Sequence, residues 1–332
     1  MKRGARTALG VLTVIWLAVL VLVPTVGSQH LSWQDVFAAP DSTAGQIFWR
    51  LRLPRVLLGL LAGGALALGG AAFQALFRNP LAEPYTLGVA SGAALGAVLA
   101  QQLGPTELSA SLPLVALASF LGATVVSAVI LAFAAGPRGV RSQTLLLAGV
   151  AMSLSCSALI LFVQYWADFT RTFRMVRWMM GGLSVVGWSE VVWVAVWVAG
   201  GSVVLYGLRW ELNQLLAGEE LAASRGVDLA RLRLLALAAT SGMVAALVAV
   251  TGPIGFIGLV VPHLLRRAGG ADHLFLLPAC FLGGGAFLAL CDLAARRILA
   301  PAELPVGVLT ALLGGPFFLW LLIRRRSGTV EL

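Results

Sequence analysis

The sequence predicts an all-α, polytopic membrane protein with about ten transmembrane helices. Mean hydropathy is +0.93, and 59% of residues are hydrophobic against 11% charged. No soluble domain of 332 residues has that balance. The apolar residues also fall in runs near the roughly 20 needed to cross a hydrocarbon core of about 30 Å. No polar segment between the runs is long enough for a separate soluble domain, so residues 1–332 read as one transmembrane domain.

The first apolar run, Leu9–Val26, follows a basic start. It is longer than the apolar region of a signal peptide and reads as a retained first helix. Residues 28–54 are polar and read as an outer loop. The second helix, about Val56–Phe77, is rich in small residues (Gly63, Gly64, Gly69, Gly70), which let helices approach closely in lipid. A polar turn, Arg78–Pro84, leads to a glycine-rich third helix, about Leu87–Leu103. The fourth and fifth span about Leu112–Ala135 and Thr144–Trp166. Residues 167–189 form an outer connection with its own short helix, and the sixth span is about Val191–Leu208. A seventh, about Leu232–Val250, ends at the break Gly252-Pro253-Ile254-Gly255, where glycine and proline interrupt the helix. The eighth segment, Phe256–Leu265, is too short to cross alone. The ninth and tenth are about Leu274–Ala294 and Val306–Ile323. Residues 61–82 and 238–262 each hold a small-residue helix ending in a proline-containing break, a faint echo of an inverted repeat.

Charge sets the orientation. With the N-terminus inside and strict alternation, fifteen of the 23 Lys and Arg residues fall inside and eight outside. The positive-inside rule then places both termini in the cytoplasm. The net charge of +9 accordingly reads as cytoplasmic loops at a lipid surface rather than as a nucleic-acid footprint.

Several chemistries are excluded by composition. Lys2 is the only lysine, so the chain has no P-loop and no internal Schiff-base lysine. Cys156, Cys280 and Cys291 lie in apolar runs without metal-ligand spacing and read as packing residues. His263 reads as a structural residue, and His30 and His273 as ordinary loop residues. An intramembrane enzyme needs a nucleophile–base or metal constellation, and three scattered histidines supply none. An ion-coupled secondary transporter is the alternative transport reading. It wants ionisable groups near the midplane, and no span carries one well inside it. Asp292 is the acid nearest a span, four residues before Arg296, as in an i,i+4 ion pair.

Residues 211–228 are the polar break around which the chain is organised. Glu219 and Glu220 begin a short helix where its dipole favours negative charge. Arg225 ends it, and Gly226 supplies the left-handed stop. So short a helix is not stable alone and has to dock on something. Elsewhere, Arg171, Arg174 and Arg177 recur at three-residue spacing and share roughly one helix face. That face fits an anionic substrate or phospholipid headgroups.

The run Gln74-Ala-Leu-Phe-Arg-Asn-Pro-Leu-Ala-Glu-Pro84, followed by Leu87-Gly88-Val-Ala-Ser91-Gly92-Ala93, resembles the signature of the permease subunits of ABC importers for ferric siderophores, haem and cobalamin. Arg52-Leu-Pro-Arg55, Leu147-Ala-Gly-Val150, the run from Gly252 to Arg266, and Glu303-Leu-Pro-Val-Gly307 with Thr310-Ala311 and Gly314-Gly315-Pro316 resemble the same family in order and spacing.

The resemblance implies the type II importer fold and a permease domain without a cofactor of its own. It implies a homodimer, two ATP-binding subunits that hold the ATP and Mg, and a periplasmic or lipid-anchored substrate-binding protein, all at a bacterial inner membrane. Gly218, Glu219, Glu220, Leu221, Ala222 and Gly226 then correspond to the segment that sits on the ATPase. Arg52, Arg55 and Arg296 correspond to the arginines that dock the binding protein. Asn79, Leu81, Ser142 and Gln143 fall at the cytoplasmic gate, where Gln143 departs from the usual small hydroxyl residue. Arg171, Arg174 and Arg177 would border the substrate vestibule. The cargo implied is a metal chelate moved by alternating access.

Overall fold

The computed structural model describes residues 3–27, 32–104, 108–134, 142–300 and 302–326. Among them are helices and no strand. In chain order these are α1 (Arg3–Leu22), α2 (Trp33–Ala38), α3 (Thr43–Gln46), α4 (Leu53–Leu76), α5 (Val89–Leu103), α6 (Leu108–Ala134), α7 (Ser142–Trp166) and α8 (Phe169–Met179). Then follow α9 (Ser189–Gly207), α10 (Arg209–Leu216), α11 (Glu219–Ser224), α12 (Leu229–Thr251), α13 (Ile257–Gly269), α14 (His273–Ile298) and α15 (Val306–Arg326). The ten apolar helices are α1, α4, α5, α6, α7, α9 and α12 to α15, one for each run expected from the sequence. Seven, those other than α5, α13 and α15, satisfy length and apolarity for a membrane crossing. The Arg138 and Arg141 loop, Lys2 and His30 lie outside the described residues.

The second helix begins earlier than its hydropathy suggests. Ser42 caps α3 by accepting the Gly45 N–H, and a π-helical stretch, Ile47–Arg52, carries the chain into α4 without a break. Much of the expected outer loop 28–54 is therefore helical. Pro54 is tolerated there for a specific reason. Its missing N–H leaves the Arg50 carbonyl free, and Gly187 N–H takes it at 2.7 Å.

The centre of the bundle is α4, buried along almost its whole length. It runs antiparallel to α14, and the two backbones meet at Gly63 and Gly284. A Cβ on either glycine would fall on the other's carbonyl oxygen. In the same way Gly92 of α5 faces Gly122 of α6. Lipid tails are as apolar as leucine, so helices in a membrane associate through such close packing rather than through hydrophobic exclusion. α12 lies against α4, α6 and α9, and α1 packs on α14 through Trp16 and Val19, with Val23 just beyond its end. Exposed apolar side chains, such as Val14, Val21, Leu154 and Leu319, line the outside of the bundle.

Gly63→Leu should overpack the α4–α14 seam and destabilise the protein by about 1–3 kcal/mol or more. Gly200→Leu, at a glycine with open space around it, should cost far less. Thermal unfolding in detergent, followed by fluorescence-detected size exclusion, checks the contrast.

Candidate functional site: the coupling face and the joined chain breaks

Four features carry the candidate function, and the first is the polar segment between α9 and α12. α11 has the expected limits. Gly218, with φ +123°, precedes Glu219, and Gly226, with φ +85°, closes the helix. Val227 N–H reaches the Ala222 carbonyl at 3.1 Å and Gly226 N–H the Ala223 carbonyl at 2.9 Å, the paired bonds of a Schellman stop. The helix docks on its own chain through one face. Ala222 is fully buried, and the Glu219 carboxylate lies 2.7 Å from the guanidinium of Arg233 in α12. The other face, with Glu220, Leu221, Ala223 and Ser224, is exposed.

α10 is fastened to the start of α14, and its Gln214 also accepts from Arg225 at the end of α11. Asn213 donates to Asp272 at 2.8 Å, and its amide oxygen accepts the His273 N–H at 2.9 Å. Asp272 caps α14. The Leu274 N–H first, and then Asn213, hold its carboxyl below the usual carboxylate range. His273 is thus not a loop residue. It is the buried first residue of α14, and its ring also contacts Asn213.

The second feature joins the two proline-containing breaks. α4 ends with Arg78 in the left-handed region, φ +48°, and Asn79 N–H bonded to the Gln74 carbonyl at 3.1 Å. The Asn79 amide oxygen then accepts the Leu81 N–H at 3.0 Å, which tightens the turn. The chain folds back along α4 until the Pro84 ring reaches Gly69. That is seven residues before the end of α4, or roughly 10 Å of helix.

There it meets the break after α12. Tyr85 Oη accepts the Ile254 N–H at 2.9 Å, and Glu83 bonds the Phe256 backbone at the start of α13. Gln74 supplies a third link. Pro262, inside α13, has no N–H to give the Gly258 carbonyl; Gln74 Nε2 donates to that oxygen at 2.9 Å. Phe256 is held at φ +70° with its ring against Gly314 of α15. A left-handed backbone is unusual for a bulky residue.

The third feature is an ionic cluster at the end of the bundle opposite α10 and α11. Asp292 is 2% exposed and binds Arg55 at 2.9 Å and Arg296 at 3.1 Å. Arg55 also binds Glu303 at 2.8 Å. The cluster ties α4 to α14 and to the turn before α15. Arg52 is buried, and its guanidinium donates to the Pro24 and Thr25 carbonyls. Arg50 and Arg297, next to the cluster in sequence, are exposed.

The fourth is α8, whose Arg171 contacts Asp168 and the Gln102 carbonyl of α5. Arg174 is half-buried and Arg177 exposed, so the three do not form one free face. Phe169, Phe173 and Val176 are exposed beside them.

Leu81 is 42% exposed at the tip of the re-entrant turn, and Asn79 beside it is half-buried. Ser142 begins α7, and the Ser142 and Gln143 side chains lie outside the described residues. The three cysteines are free and buried. His263 is buried 6.3 Å from the Phe317 ring. No cluster of potential metal ligands occurs among the described residues.

The model of the FecCD transport family matches residues 12–324, which include all four features. The chain belongs to the FecCD transport family. It is 42% identical over 327 residues to the vitamin B12 import system permease protein BtuC of Citrobacter koseri, covering 98% of this chain and 96% of that protein. It is 43% identical over 321 residues to BtuC of Escherichia coli O139:H28, covering 94% of each. A solved ABC transporter assigned to the metal-chelate type, in an inward-facing conformation, superposes with a TM-score of 0.85 at 33% identity. That match covers 96% of this chain and 99% of the solved one. The sequence resemblance thus named the right family, and the observed fold is that of its permeases.

Of the motifs quoted from the sequence, the run from Gln74 to Pro84 and the run from Gly252 to Arg266 meet at the joined breaks, with Gly314 against Phe256, whereas Arg55 and Glu303 meet in the ionic cluster. Sequence reasoning did not single out Tyr85, Phe256 or Arg233, or Gln74 and Asn213 as individual residues. Pro262 carried one usable signal: a proline inside a helix implies a free carbonyl four residues earlier and a donor to meet it.

Gln74→Leu should leave the Gly258 carbonyl unpaired and cost roughly 1–3 kcal/mol. Asp292→Asn should cost about 3 kcal/mol or more, since it removes the buried carboxylate that Arg55 and Arg296 share. Glu303→Gln, at the exposed rim of the same cluster, should cost about 1 kcal/mol or less. Midpoints of thermal unfolding rank the three.

Proposed function

We propose that this chain is the membrane-spanning permease subunit of an ATP-driven ABC importer for a metal chelate at a bacterial inner membrane. The near full-length similarity to vitamin B12 import permeases carries the reading. It makes cobalamin the first chelate to test, ahead of haem and ferric siderophores. The chain is a conduit and not an enzyme. ATP and Mg belong to two partner subunits, and this subunit needs no cofactor.

The exposed face of α11, with Glu220 and Leu221, sits on the ATPase. Gly218, Glu219, Ala222 and Gly226 set the shape of that face from behind. The N-terminus, the C-terminus and this segment are cytoplasmic. Two copies share a central pore. In support, α7 in one copy buries little beyond Leu145, Gly149, Cys156 and Ile160 and leaves Val150, Leu154, Ser155 and Phe162 exposed. Asn79, Leu81, Ser142 and Gln143 form the inner gate, and Arg171, Arg174 and Arg177 border the outer vestibule.

The substrate-binding protein docks on the arginine-rich end through its carboxylates, which the planar guanidinium grips in pairs. Arg52, Arg55 and Arg296 are fixed there by their inner contacts, and Arg50 and Arg297 extend the positive rim.

Proteoliposomes holding the permease and its ATPase should accumulate cobalamin only with ATP and the binding protein. Accumulation of haem or a ferric siderophore instead would reassign the cargo. Uptake driven by an ion gradient without nucleotide would sink the importer reading and favour a secondary transporter. Leu221→Asp should release the ATPase in pull-down while the membrane part keeps its unfolding midpoint. Arg50→Glu with Arg297→Glu should weaken binding-protein affinity about tenfold or more, a charge effect that salt screens.

A further inference from the structure

The coupling segment has two feet, and they stand on different helices. α10 is bonded to the start of α14 by Asn213, Asp272 and His273. α14 in turn is packed backbone to backbone on α4, so this foot rests on the α4–α14 seam. α11 is bonded to α12 by Glu219 and Arg233. Gly218 lies between the feet at φ +123°, a conformation that side chains resist.

Glu219 is the residue whose position decides the matter. On a solvated coupling helix it would point to the partner or to water. Here its carboxylate, on a side chain 38% exposed, bonds the guanidinium of an arginine whose side chain is only 9% exposed. A charge-assisted pair is strong and directional, whereas a helix of six residues has little rigidity of its own.

α12 continues the path. It has no internal proline and runs without a break from Leu229 to Thr251, about 34 Å at 1.5 Å per residue. At its far end the Thr251 carbonyl accepts the Gly182 N–H at 2.7 Å, and Gly181, at φ +69°, is seated against the Pro253 carbonyl. Those glycines begin the connection that carries α8 into α9. One helix therefore links the coupling face to the opposite end of the bundle, with a polar bond at each end.

We propose that Arg233 is a positioning residue for transport, through which movement of α11 displaces α12 and so the connection at Gly181 and Gly182. The proposal rests on the importer reading and adds to it the internal residue that transmits the force. A pair that merely staples the loop predicts something different: its loss would lower stability and assembly together, and would leave the response to nucleotide intact in whatever complex still formed.

The test uses the complete permease–ATPase complex in lipid nanodiscs. Val186, in the far connection, is 72% exposed. Val186→Cys takes a spin label there, the three native cysteines being buried. Pulsed dipolar spectroscopy then measures the distance between the two copies without nucleotide and after trapping with ATP and vanadate. The reference complex should shift on trapping. Arg233→Glu should hydrolyse ATP within about twofold of the reference rate but lose most of the shift. The exchanged pair, Glu219→Arg with Arg233→Glu, should recover more than half of it. Arg233→Gln replaces the reversal if that variant does not assemble. A full shift in the Arg233 variants, or a lost shift that the exchanged pair does not recover, overturns the proposal. A reference complex with no nucleotide-dependent shift removes the importer reading itself, and the proposal with it.

Discussion

The contact between the backbones of α4 and α14 is the constraint on which the rest of this structure depends. Gly63 and Gly284 bring the two helices closer than any side chain would allow. In lipid no hydrophobic gain draws helices together, so dispersion and close approach must do it. Once that seam is fixed, α1 covers α14, α12 packs on α4, and α13 packs against both helices of the seam. The same seam carries Asp292 to Arg55 at one end and presents Asp272 and His273 to α10 at the other.

Prolines shape the polar part of the design. A proline inside a helix frees a carbonyl, and two of these in the bundle meet a donor from a distant segment. Pro54 leaves Arg50 to Gly187, and Pro262 leaves Gly258 to Gln74. These bonds tie segments that are distant in sequence. The re-entrant turn after α4 and the break after α12 are held together by Gln74, Glu83 and Tyr85, with Phe256 kept in an uncommon backbone state between them.

The charged residues separate into supports and contacts. Asp292, Arg52 and Arg233 are buried, and each is satisfied by a partner inside the chain. Glu220, Arg50 and Arg297 are exposed. The family resemblance groups Arg52, Arg55 and Arg296 with the outward-facing kind; in the structure each guanidinium meets a partner inside the chain, which an arginine at a helix end does not reveal in the sequence.

The sequence by itself determined the number and order of the apolar helices, because hydrocarbon thickness sets their length and hydropathy reads it directly. It determined the limits of α11 as well, since the stop at Gly226 is a local preference of glycine for positive φ. The Asp292–Arg296 pair was legible for the same reason, as four residues on a helix are always neighbours. Only the tertiary structure decided what those elements touch. Arg55 meets Asp292 across 237 positions of chain, and Gln74 meets Gly258 across 184. Glu219 turns toward Arg233 rather than outward because α12 happens to pass beneath it. Such pairings follow from how the helices pack, and packing in lipid is set by shape at a few small residues, which no single helix records.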